Sequence, residues 1–216
     1  MTSSRPPDSS GETRERLLRA AERLFASEGT HLVPVRKIHE LAGQRNASAL
    51  HYHFNSREGL VEAILADHQV AIDGEIARRL DELEGRNGDI TVRDVVEAVV
   101  QALGRKLETQ SGRDFLRIVP QVWDSLSASI RAGSAMPTTR LTRRVVALLD
   151  GLMKPLPRAV RRERLVSYVV MMTAAFAERA HHVESGRPTE LDTGAFVTNV
   201  LDMIVASLTA PSTAQS

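Results

Sequence analysis

No proline occurs between Pro34 and Pro120, and apolar residues recur there every three or four positions. A proline inside a helix removes a backbone donor and collides with the preceding turn. A long proline-free stretch with that spacing therefore favours helices over every other regular structure. Strand signals are nearly absent. The chain has 1 Trp, 2 Tyr and 5 Phe, and no Asn-Gly or Asp-Gly pair lies between alternating apolar runs. The expected class is all-α.

The spacing predicts about nine helices. The first runs from about Glu12 to Glu28, with Leu17, Leu18, Ala21, Leu24 and Phe25 on one stripe and Gly29 as its stop. Pro34 heads a short helix over Val35–Ala42, closed by Gly43. A third short helix spans about Ala47–Phe54. Ser56 is the expected N-cap of a long fourth helix, with Glu58 in its first turn where the dipole favours an acid. That helix continues to the break at Gly85–Gly88 and should be about 40 Å long. Further helices are expected at about Thr91–Gln110, Asp114–Ile130, Thr138–Met153, Arg158–Glu184 and Leu191–Thr209. The implied organisation is a disordered tail over 1–11, a first domain over 12–57, a second over 58–209 and a short tail over 210–216.

Composition excludes several chemistries. With no cysteine there is no disulfide framework, no thiolate metal site and no cysteine nucleophile. The Ser/Pro-rich start lacks the apolar core of a signal peptide. The longest uncharged apolar run, Leu165–Ala177, falls short of the roughly 20 residues a bilayer requires. A soluble, cytoplasmic protein without a membrane partner is expected. His181 and His182 are adjacent and diverge around a helix, so they make a poor metal pair. No cofactor, metal site or catalytic set is expected. The pair reads as solvated or at a dimer edge, and an α-helical enzyme using His181 or His182 is a rival for the whole chain.

The formal net charge of +1 argues against a nucleic-acid partner until it is divided by region. From Thr30 to Arg57 there are four cations, Arg36, Lys37, Arg45 and Arg57, against one acid, Glu40, which leaves +3. Four of the seven histidines, His31, His39, His51 and His53, share the window. Two short helices joined by a tight turn at Gly43-Gln44-Arg45 make a helix-turn-helix, whose second helix enters the major groove. Asn46, Ser48, His51, Tyr52 and His53 can bond to base edges or phosphates, while Ala47 and Ala49 permit close approach. Leu50, Phe54, Ile38 and Leu41 are assigned to core. Tyr52 could instead pack on the first helix.

These residues carry a resemblance. Phe25, Gly29, the Val35…Ile38…Leu41-Ala42-Gly43 spacing, Leu50-His51-Tyr52-His53-Phe54 and Ser56-Arg57-Glu58-Gly59-Leu60 resemble the DNA-binding domain of the TetR (tetracycline-repressor-like) family. The likeness covers about Thr13 to Leu65. The turn Gly43–Asn46 looks one residue longer than the commonest family pattern, and His51 stands where many members have tyrosine. The resemblance implies that Arg36 and the residues from Arg45 to His53 face DNA, with Arg57 clamping a phosphate. It also implies a homodimer on a near-palindromic duplex, a small-molecule effector, and regulation by repression.

The C-terminal half fits that expectation. Leu165–Ala177 is apolar nearly all round, which predicts burial on every face. The last helix carries Phe196, Val197, Val200, Leu201, Ile204 and Val205 on one stripe, and with Val169 these are the expected dimer contacts. Phe115, Trp123, Tyr168, Met171, Met172 and Phe176 are the expected lining of a mostly apolar ligand pocket, with ordinary core packing as their alternative. A small-molecule carrier without DNA binding is the other rival for the whole chain.

Overall fold

The computed structural model describes residues 10–46, 48–86, 88–131 and 139–213, with side chains outside 123–131. Among them the regular structure is nine helices: α1 (Ser10–Glu28), α2 (Val35–Leu41), α3 (Ala49–Phe54), α4 (Arg57–Glu84), α5 (Val92–Lys106), α6 (Gln110–Arg131), α7 (Arg140–Leu152), α8 (Arg158–Glu184) and α9 (Thr193–Thr209). The chain divides into two compact units, one ending at Asp67 and the other starting at His68, so the boundary falls inside α4.

In the first unit, Leu17, Leu18, Ala21, Leu24 and Phe25 of α1 are buried, as are Val33, Ile38, Leu50, Phe54, Leu60 and Ile64, and α1 packs on α2 and α3. α1 stops at Gly29, whose φ of 99° belongs to the left-handed half of the map, and its N–H returns to the Phe25 carbonyl. α2 stops at Gly43, φ 62°, for the same reason. One core assignment changes. Leu41 is 54% exposed, and Ala42 takes the buried position instead. α2 has seven residues, two turns at most, and its inward face is already filled by Ile38 and His39. Leu41 and Ala42 therefore border an open concavity of 370 Å³ against Arg16, Arg19 and Arg23 of α1.

In the second unit α6 packs mainly on α8, and α9 packs on α5 and α8. α5 begins at a capping box. Thr91 Oγ1 accepts from the Asp94 N–H at 3.2 Å, and the Asp94 carboxylate accepts from the Thr91 N–H at 2.8 Å. Thr91→Ala should cost about 1 kcal/mol, measured as a drop in the urea midpoint with an unchanged slope. Pro120 lies inside α6, where it supplies no N–H, and Gln121 Nε2 donates to the Arg117 carbonyl at 3.0 Å.

Two expectations about this unit are corrected. α8 is not buried all round: Val166 and Val170 are 42% and 43% exposed, and Ala174 is exposed one turn further on. Val197, Val200, Leu201 and Ile204, expected between subunits, are buried within the protomer. The close seating of α9 on α5 is the cause. Gly104 of α5 approaches so tightly that a Cβ there would lie 2.9 Å from Val197 Cγ2. Phe196, Val205 and Val169 are half-buried.

Candidate nucleic-acid interface

α3 buries Ala49, Leu50 and Phe54 and turns Ser48, His51, Tyr52 and Asn55 outward. Those four positions are spaced i, i+3, i+4 and i+7, which is one stripe of a helix. Tyr52 is 77% exposed, so its ring does not pack on α1. It meets the His53 ring edge-on at 5.0 Å, and His53 is half-buried. Ala49 is 5% exposed and belongs to the core, a correction to its expected place at the interface. The inward stripe of so short a helix must include it to seat Leu50. Ala47 lies outside the described residues.

The turn before α3 is shaped by side chains. Gln44 Oε1 accepts from the Asn46 N–H at 3.1 Å, and Asn46 Oδ1 accepts from the Ser48 N–H at 3.0 Å. Short amides bonding their own backbone two residues on are the ordinary device for such turns. Asn46 is exposed and its oxygen is committed to the fold, which leaves its amide nitrogen, a donor, for a partner.

The cations of the window are not equally available. Arg36 Nε donates to Glu40 at 2.6 Å, which raises its pKa. Lys37 Nζ sits 2.6 and 2.7 Å from the two carboxylate oxygens of Glu28, an acid just outside the window. Among the described residues of the window, Arg45 is the exposed cation with no acid partner. Arg57 departs from its expected phosphate role. Its Nη1 donates to the Thr30 carbonyl at 2.9 Å and its Nη2 to the Val33 carbonyl at 2.5 Å, with the guanidinium 5.7 Å from the Phe25 ring centroid. It ties the α1–α2 loop to the head of α4. His39 is buried, with its Nε2 unpartnered, and offers nothing outward.

Arg14 was missed in the sequence. It stands over the Phe54 ring, 5.2 Å from its centroid, and brings an exposed cation to the end of α3 from outside the basic window. At the head of α4, Ser56 Oγ accepts from the Gly59 N–H at 3.1 Å. The Glu58 carboxyl is held below its usual range by its own backbone N–H and then by the Ser56 hydroxyl.

In the second unit, Phe115, Tyr168, Met172 and Phe176 are buried and Met171 is half-buried. The Trp123 side chain lies outside the described residues. Burial pushes the Tyr168 hydroxyl well above its ordinary pKa. Phe176 meets Phe196 edge-on at 5.4 Å, and Phe115 stacks on buried His68 at 4.5 Å. Lys106 Nζ lies 3.2 Å from His68 Nδ1 and can only donate, so Nε2 carries the proton that faces Ser111 Oγ at 3.4 Å. The signal for His68 was present: it occupies the i+4 position in the buried stripe Leu60, Ile64, Ile72, Ile76, Leu80 of α4. His182 pairs with Glu178 at 3.0 Å. Among the described residues no group of three potential ligands gathers to hold a metal, and no helix is long and apolar enough to cross a membrane.

Residues 17–64 match the tetR family of bacterial regulatory proteins. No curated protein matches the chain. Solved structures resemble it over most of its length. One is native NalD, the secondary repressor of the MexAB-OprM multidrug efflux pump in Pseudomonas aeruginosa: 16% identity over 92% of this chain and 97% of that one, TM-score 0.61. Another is a TetR-like transcriptional regulator from Rhodococcus sp. RHA1, at 14% identity over 92% and 97%, TM-score 0.57. A third is a TetR-family transcriptional regulator from Streptomyces coelicolor, at 20% identity over 92% and 95%, TM-score 0.51. At such identities these likenesses establish the fold. The family match covers residues 17–64, the stretch that holds α2, α3 and the head of α4, and it is this stretch that is similar to the bacterial regulatory proteins.

Proposed function

We propose, for a chain whose residues 17–64 form a tetR-family domain, that it is a homodimeric regulator that represses transcription from a near-palindromic operator and is released by a small, mostly apolar effector. The observation that carries the DNA-binding part is the outward stripe Ser48, His51, Tyr52 with Arg45 at its approach, set on a helix whose other face is core. Asn46 and Tyr52 contact bases or sugar, His53 the backbone, and Arg36 exchanges Glu40 for a phosphate.

Each of α8 and α9 keeps an exposed stripe: Val166, Val170 and Ala174 on α8, and Ala195, Asn199, Met203 and Ala206 on α9. Small and apolar residues at these positions support an isologous interface between copies. The contacts then come from these residues rather than from the buried Val197 group, with Val169 and Val205 at the margin. Two copies present two α3 helices, and a palindrome follows from the two-fold axis. The effector reading draws on the cluster of Phe115, Tyr168, Met171, Met172 and Phe176, with His68 and Ser111 as nearby polar groups. Because α4 has residues in both units, a shift of α4 on effector binding is the route from one to the other. A coupling of about 1–3 kcal/mol would lower operator affinity roughly 5- to 150-fold.

Titration of duplex binding against salt tests the reading. Using the protein's own upstream region, log affinity should fall steeply and linearly with log salt, and Arg36→Ala should reduce the slope by about 2, one phosphate contact per subunit. Absence of binding to that or any other duplex would leave the small-molecule carrier as the better description.

A further inference from the structure

We propose that His51 is held as a hydrogen-bond acceptor on the outer face of α3, and that it selects adenine or cytosine at the base it covers. The inference rests on the DNA-binding reading above and adds a chemical preference at one position.

It begins with a bond that allows one assignment of protons. His51 Nδ1 lies 2.6 Å from the Asn55 carbonyl oxygen. A carbonyl oxygen only accepts, so Nδ1 carries the hydrogen. A neutral imidazole has one ring N–H, and Nε2 is then a bare lone pair. The ring is also fixed in direction. The Asn55 N–H donates to the His51 carbonyl at 2.9 Å, so the two residues are joined by a reciprocal pair of bonds. Asn55 has φ 61°, a region a side chain-bearing residue adopts at a cost, and this conformation is what brings its carbonyl back toward the ring. His51 is exposed on the same stripe as Ser48 and Tyr52, with Nε2 as the part of the ring left for a partner.

The major groove separates bases by donors and acceptors. Adenine N6 and cytosine N4 present donors, whereas guanine O6 and N7 and thymine O4 present acceptors. A bare Nε2 bonds to the first pair and repels the second. Arg45 has only donors, so it suits guanine. The two residues therefore read opposite edges, and a sequence chosen by Arg45 differs in kind from one chosen by His51.

The test selects bound duplexes from a random pool with the full-length protein and with His51→Leu, at mildly alkaline pH. The wild-type pool should show a base-pair preference at one position per half-site, whose adenine or cytosine amino group is the donor to His51, and the variant should lose that preference while keeping the palindrome. At that position, an analogue lacking the exocyclic amino group should weaken wild-type binding about 3- to 10-fold and leave His51→Leu unchanged. Long-range proton–nitrogen correlation on the wild-type protein should place the ring hydrogen on Nδ1, a readout that does not depend on the variant folding. Hydrogen on Nε2, a base preference at that position that His51→Leu retains, or equal sensitivity of both proteins to the analogue would overturn the proposal. A wild-type protein that selects no duplex would overturn the regulatory reading itself, and this inference with it.

Discussion

Arg57→Ala should cost the first unit about 2–4 kcal/mol, because two charge-assisted bonds to the Thr30 and Val33 carbonyls disappear together. The α1–α2 loop then loses both of these ties to the head of α4. Amide hydrogen exchange should accelerate throughout α1, α2 and α3, and duplex binding should fail at every salt concentration. Arg57→Lys should restore less than half of the protection, since an ammonium cannot span two carbonyls as a planar fork does. A residue acting on phosphate alone would behave otherwise. Its alanine variant would keep native exchange and lose only affinity, with a shallower salt slope.

Phe176→Ala is the largest expected effect in the second unit. The side chain is fully buried and packs edge-on against Phe196, so truncation should cost about 3–5 kcal/mol. For a unit of this size that lowers the melting temperature by about 6–20 °C, read by circular dichroism. The result also bears on the effector. A phenyl ring bordering open space gives up fewer contacts on truncation than one in a closed core. A loss well under the expected range would thus favour a lining role for Phe176.

Much of the fold was legible in the sequence because its punctuation is strong. Gly29 and Gly43 stop their helices in left-handed conformations no other residue reaches as cheaply, and α8 starts directly after Pro157 as the spacing predicts. What a helical stripe does not say is which surface covers it. Val197, Val200, Leu201 and Ile204 read as a face seeking a partner, and that partner is α5 of the same chain. Periodicity is a property of one helix, whereas burial is a property of two. Arg57 was misassigned for a related reason. The carbonyls it holds lie 27 and 24 residues upstream, and no local pattern links a cation to a distant loop. Within the interface, the outward positions of α3 followed from its spacing. The commitment of the Asn46 oxygen and the His51 ring to backbone partners did not, because turn geometry decides both.

Because α3 spends Ala49, Leu50 and Phe54 on the core and Ser48, His51 and Tyr52 on the outside, inheritance can act on the two sets separately. Exposed substitutions usually change stability by no more than about 0.5 kcal/mol. A gene duplicate could therefore alter Ser48 or Tyr52 and acquire a different target while folding as its parent does. Position 51 is less free, since its ring also braces Asn55. Of the three outward residues it should be the slowest to drift.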